Sequence, residues 1–193
     1  MNYTKKILLI FLLPAMVSLS CLSRPFSYNS GAVDRSAVKI AVLGFKDYNG
    51  STGNNSGELV RNIFEGKLQN RGYKTVCIEK SNSVVNLEML ETKSQKSQWF
   101  IDAGKSIGAD YIIYGSVHDY SVYQSYTTFI YIFGWLELTS SVGVTARMVS
   151  CSSGEVVWSG SITRKSYTLS DAAEEAVYEL IRTIKYKPDE KTE

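Results

Sequence analysis

From Val38 onward the spacing of apolar positions changes character several times, and each change marks an element. "VKIAVLGF" (Val38–Phe45) is a nearly continuous β-rich apolar run, the pattern of a strand covered on both faces. After the loop "KDYNGSTGNNSG" the period becomes helical. Ser56 is the expected N-cap of a helix from Gly57 to about Asn70, with Leu59, Val60, Ile63, Phe64 and Leu68 as its stripe and Gly72 beyond its end. "YKTVCI" reads as a second strand. "SNSVVNLEMLETKSQKSQWFIDAGKSIG" reads as two helical pieces, the second carrying Trp99, Phe100, Ala103 and Ile107 and closing at Gly108. "YIIYGSV" is the third strand. The order β-α-β-α-β favours a largely parallel sheet with right-handed crossovers.

Further on, the period falls to two. "SSVGVTARMV" sets Val142, Val144, Ala146 and Met148 on one face, "CSSG" turns, and "EVVWSGSITR" is expected to set Val156, Trp158 and Ile162 together. That is an antiparallel hairpin with one buried face. A last helix is expected to open at Ser170, with Asp171, Glu174 and Glu175 early and Arg182 and Lys185 late, opposing the helix dipole. The fold class is α/β (α+β). It is expected as one three-layer domain over 38–186, a mixed sheet of about five strands flanked by helices, with a frayed tail at 187–193.

The first residues carry an address rather than a fold. "MNYTKK", then "ILLIFLLPAMV", then "SLSC" has the layout of an export signal over 1–20, and its apolar stretch is short for a membrane span. "Ser18-Leu19-Ser20-Cys21" resembles a loosened bacterial lipobox, which implies a lipid attached to Cys21 and a flexible tether over 21–37. Removing Lys5 and Lys6 with the signal leaves acidic and basic residues balanced, so no basic field for nucleic acid survives. Cys77 and Cys151 are expected unpaired. With His118 the only histidine, no metal-ligand spacing exists.

Three blocks, in order across roughly residues 38–184, resemble the CsgG-like and LpoB-like bacterial envelope lipoproteins. They are "KIAVLGFKDYNGSTG…GELVRNIFEGKLQNRGYKTV", "AGKSIGADYIIYGSVHDYS" and "SVGVTARMVSCSSGEVVWSG". Gly44 departs from the common Pro, and Ser150 and Ser153 from the usual Asp and Thr of the turn. The resemblance implies a lipid-anchored protein of the periplasm and outer membrane that works through envelope proteins or its own copies. Its alternatives are an oligomeric secretion-channel subunit of the CsgG type and an LpoB-like activator of a peptidoglycan synthase.

Catalytic signatures are missing: no G-x-S-x-G, H-E-x-x-H, Walker or dinucleotide fingerprint occurs. No small-molecule substrate, metal or cofactor beyond the covalent lipid is expected, and the chain reads as a non-enzyme. "GSTGNNSG" before a helix has the form of an anion cradle or an ordinary capped loop. His118 and Asp119 are adjacent, and plain strand alternation would send them to opposite faces. Asp110 reads as a joint that bonds local backbone. The stretch Tyr120–Ser140 is less ordinary. It holds Tyr126, Phe129, Tyr131, Phe133 and Trp135, the candidate interaction or membrane-contact residues. Three readings remain open: a long strand packing these aromatics inside, an exposed aromatic edge, or a membrane hairpin turning near Gly134.

Overall fold

The computed structural model describes residues 24–34, 37–47, 55–76, 97–129 and 133–186, with backbone alone for 126–129 and 133–135. Among these residues the strands are β1 (Phe26–Asn29), β2 (Lys39–Lys46), β3 (Lys74–Val76), β4 (Tyr111–Phe129), β5 (Phe133–Ser150) and β6 (Val156–Ser166). The helices are α1 (Ser56–Asn70), α2 (Ser97–Ile107) and α3 (Leu169–Arg182). All six strands lie in one sheet, ordered β1-β6-β5-β4-β2-β3. β2 pairs parallel with β3 and β4, as β-α-β crossovers require, whereas β4-β5, β5-β6 and β6-β1 are antiparallel. This is the expected mixed α/β fold with its C-terminal helix.

Two cores sandwich the sheet. On one face Val60, Phe64 and Leu68 of α1 and Ala173, Ala176, Val177, Leu180 and Ile181 of α3 pack on Ile40, Val42, Ile113, Val144, Met148 and Trp158. On the other, Phe100 and Ala103 of α2 cover Ala41, Leu43, Ile112, Tyr114 and Val149. β2 thus supplies both cores, which explains its unbroken apolar run. Each large aliphatic or aromatic side chain so buried stabilises the fold by about 1.5–3 kcal/mol. Trp158 also satisfies its polar end, donating from Nε1 to Thr183 Oγ1 at 2.9 Å.

Four local expectations are corrected. Phe26–Asn29, placed in the tether, pairs with Trp158–Ser161 of β6, and Val33 is buried with its N–H donating to Lys185 O. Only four short positions carry that pairing, too few for a strand pattern to show in sequence. Secondly, α1 starts at Ser56 rather than Gly57, and no side chain of Asn55 caps it. Thirdly, α3 starts at Leu169, one residue early, because Thr168 takes the cap and accepts from Asp171 N–H at 3.1 Å. Lastly, Val156 is exposed while Trp158 and Ile162 are buried. The register shifts where Met148 faces Trp158 and Val149 faces Val156, a bulge that puts Val157 against the core instead.

Candidate functional site

Asp110 is a joint, but its reach is not local. Its carboxylate accepts the Lys39 N–H at 2.7 Å, its own N–H donates to Lys39 O at 2.8 Å, and its carbonyl accepts the Cys151 N–H at 2.8 Å. One residue therefore fastens the starts of β2 and β4 to the β5-β6 turn. Gly108, at φ +68, releases the chain from α2 just before it. An open cleft of about 600 Å³ lies here, lined by Lys105, Asp110, Ser150, Cys151 and Ser152 among others. Cys151 is a buried free thiol, and burial, followed by the Asp110 charge, pushes it up to about 11. A thiol held protonated is a poor nucleophile, so Cys151 is not activated here. At the turn Ser150 Oγ accepts from Ser152 N–H, and Ser153 Oγ from Glu155 N–H, both at 3.3 Å.

The anion-cradle reading of the loop before α1 is answered by the protein itself. Asp47 accepts the Gly57 N–H at 2.6 Å and the Ser56 hydroxyl at 3.0 Å. A carboxylate from the end of β2 thus sits at the positive end of α1, where an external anion would have to sit. Residues 48–54 lie outside the described residues. In sequence Asp47 is nine residues ahead of Ser56, too far for any capping pattern to single it out.

His118 and Asp119 also depart from expectation. The β4-β5 register shifts between Val117 and Asp119, so both residues oppose Gly143. A Cβ added at Gly143 would lie 2.5 Å from His118 Nε2 and 2.9 Å from Asp119 Cβ, which puts both side chains on one face. A bulge has cancelled the alternation. They still form no acid–base pair. His118 lies 3.3 Å from Thr145 Oγ1 through Nδ1 and 3.4 Å from Thr163 Oγ1 through Nε2, while Asp119 accepts from the hydroxyls of Ser121 and Ser141. Among the described residues no group of three or more His, Cys, Asp or Glu is placed to hold a metal ion.

The remaining feature is the β4-β5 hairpin, with strands of 19 and 18 residues. β2 stops beside β4 at Ser116, and β6 stops beside β5 at Ser140. Beyond the rung Val122–Ser140, β4 and β5 continue as a two-stranded ribbon through Tyr123–Thr139, Gln124–Leu138, Ser125–Glu137, Tyr126–Leu136, Thr127–Trp135, Thr128–Gly134 and Phe129–Phe133. At about 3.4 Å per rung it reaches roughly 24 Å past the sheet. Val122, Tyr123, Leu136 and Leu138 are each about half exposed. Alternate rungs face opposite ways, so Val122, Leu136 and Leu138 share one face and Tyr123 the other, where Lys165 Nζ stands 5.9 Å over its ring.

The stretch therefore folds back on itself rather than extending as one strand, with Phe129 facing Phe133 and Thr128 facing Gly134. The backbone brings Tyr126, Trp135 and the facing pair Phe129 and Phe133 onto three rungs of the distal ribbon. Tyr131 and the lipid-attachment candidate Cys21 lie outside the described residues, as do Cys77, the signal segment, the helical piece expected after Ser81 and the tail. No described helix is long and apolar enough to cross a membrane, a statement that leaves strands aside.

No protein-family model and no curated protein matches the chain. Among solved structures, the PelC dodecamer from Paraburkholderia phytofirmans is similar over 85% of this chain and 98% of that one, at 20% identity and a TM-score of 0.58. Lipoprotein GNA1162 from Neisseria meningitidis covers 67% of this chain and 83% of its own at 17% identity, with a TM-score of 0.43. The LpoB C-terminal domain from Salmonella enterica covers 70% and 86% at 16% identity, with a TM-score of 0.40. The first likeness is one of fold; the other two are fainter.

Proposed function

We propose that this chain is a lipid-anchored protein of the bacterial envelope that acts by protein–protein contact, through the β4-β5 ribbon, and has no catalytic activity of its own. The observation that carries the reading is the ribbon. A protein would not ordinarily leave Val122, Tyr123, Leu136 and Leu138 in water on a projecting arm unless something covers them. The ribbon also has two strand edges free of any partner strand among the described residues, along β4 past Ser116 and along β5 before Ser140. Such edges pair readily with further strands. Self-association is supported by the fold neighbour, since PelC from Paraburkholderia phytofirmans is a dodecamer. Anchoring through Cys21 on the periplasmic face of the outer membrane is the matching address.

The experiment is crosslinking and pull-down from native membranes, run beside sizing of the purified protein by light scattering. The reading predicts a defined complex or oligomer that Leu136→Ser with Leu138→Ser dissolves while the fold stays intact. A monomer that captures nothing, in wild type and variant alike, would refute it.

A second reading, an oligomeric channel subunit of the CsgG type, is favoured by the inserted hairpin itself. A discrete ring in negative stain would support it over a simple contact protein. The LpoB-like activator is the weaker relative of these. β1 begins only five positions after Cys21, which leaves little chain for an arm reaching across the cell wall.

A further inference from the structure

Ribbon and anchor converge. β1 is antiparallel to β6 and its first residue, Phe26, stands beside Ser161, so the chain ahead of Phe26 comes from the side of Ser166. Ser166 stands beside Ser140, the last rung before the ribbon leaves the sheet. Five residue steps allow Cys21 to lie no more than about 18 Å from Phe26. Phe26 is five positions short of Ser166 along β6, so that reach is enough to bring an anchor on Cys21 level with the ribbon end of the sheet.

We propose that the distal ribbon, Tyr126–Phe129 with Phe133–Leu136, rests in the interfacial layer of the same lipid leaflet that holds Cys21. This deepens the proposed function and rests on its reading that Cys21 is acylated. Three further observations fix the occupant as lipid and the depth as shallow. From Tyr120 to Leu136 no residue is charged; the charge resumes at Glu137, on the rung with Ser125. Tyr167, 82% exposed, stands at this same end, its carbonyl accepting from Ser140 Oγ. Four rungs beyond Glu137 measure about 14 Å, whereas a crossing strand needs about 9–11 residues. A lone ribbon in hydrocarbon would also leave its outer amides unsatisfied, which the interface, with its water and headgroups, does not. Tyr126 and Trp135 are residue types that favour this layer.

The processed protein, purified from membranes, is reconstituted into phosphatidylcholine–phosphatidylglycerol vesicles carrying brominated acyl chains, and tryptophan emission is read. The expected result is strong quenching in wild type that is mostly lost in Trp135→Phe. Phe129→Lys with Phe133→Lys, which keeps all three tryptophans, should lose it too while circular dichroism stays unchanged. Equal quenching in wild type and Trp135→Phe, or none in either, overturns the inference. So does a Trp135 shielded from both bromolipid and aqueous iodide in copies that crosslink through β4, which assigns the tip to a second copy. The mass of the N-terminal peptide separates the two layers of the reading. Acylated protein with an unquenched Trp135 sinks this inference alone, and an unacylated Cys21 overturns the anchor reading beneath it.

Discussion

The two halves of the β4-β5 hairpin are built from the same kinds of residue and meet opposite fates. In the lower half Ile112, Ile113, Val142, Val144, Ala146 and Met148 are all fully buried. In the upper half Val122 is 48% exposed, Tyr123 54%, Leu136 53% and Leu138 50%. Composition does not separate them; neighbours do. β2 flanks β4 as far as Ser116, β6 flanks β5 as far as Ser140, the helices cover this part, and neither flanking strand reaches the upper half. Apolar side chains on the lower half hold the fold together, and those on the upper half are free for something outside it.

Substitutions in the two halves should therefore differ in kind. The largest expected effect lies at the foot of the sheet. Trp158→Ala removes a fully buried indole and takes its N–H donor from Thr183 Oγ1, costing about 3–5 kcal/mol in chemical unfolding. If it cost no more than a ribbon substitution, the contrast would collapse. Gly104→Ala tests the covered foot from the α2 side, since its new Cβ would fall 2.3 Å from Cys151 Cβ. About 1–3 kcal/mol should be lost, visible as a lowered thermal midpoint. Asp47→Ala removes the carboxylate at the start of α1 and should cost about 1 kcal/mol, with Asp47→Asn recovering part of it.

Cys151 supplies a pH handle on the buried half. Its folded thiol is raised from the ordinary 9.0 to about 11, so the unfolded chain gives up its proton first. Stability contributed by the protonated thiol is full below pH 9 and falls as pH climbs from 9 to about 11. Cys151→Ser should flatten that fall in a series of unfolding curves; an unchanged slope would reject the assignment. The smallest effect on stability is expected on the ribbon. Leu136→Ser with Leu138→Ser should move the unfolding free energy by about 0.5 kcal/mol or less per site, while assembly or membrane retention is lost.

Much of the scaffold was legible because its signals are local or periodic. The run Val38–Phe45, the stripe of α1, the alternation from Val142 to Met148 and the Gly108 helix stop each follow from short-range sterics and a buried face. The misreadings share one cause, a long-range or irregular feature superimposed on a regular one. A bulge at Val157 turned Val156 outward, and another at His118 put His118 and Asp119 on one face. Asp47 reaches α1 across a loop that no capping pattern spans, and Asp110 bonds Lys39, 71 positions away. The ribbon was ambiguous because apolar residues stand on both of its faces, leaving no period to read.

By itself, then, the sequence determined the order of the described elements from β2 onward, the two-sided burial of β2, the buried face of the β5-β6 hairpin and the lack of a catalytic signature. Periodicity and turn chemistry act over a few residues, so a linear chain displays them. Only the tertiary structure decided that Phe26–Asn29 belongs to the sheet, and that Tyr120–Ser140 closes into a ribbon outrunning its neighbours. It also decided that the N-terminal end of β1 and the ribbon point the same way. Where β2 and β6 stop relative to β4 and β5 is a matter of register between segments far apart in the chain. Register is fixed by packing, and packing exists only once the chain has folded.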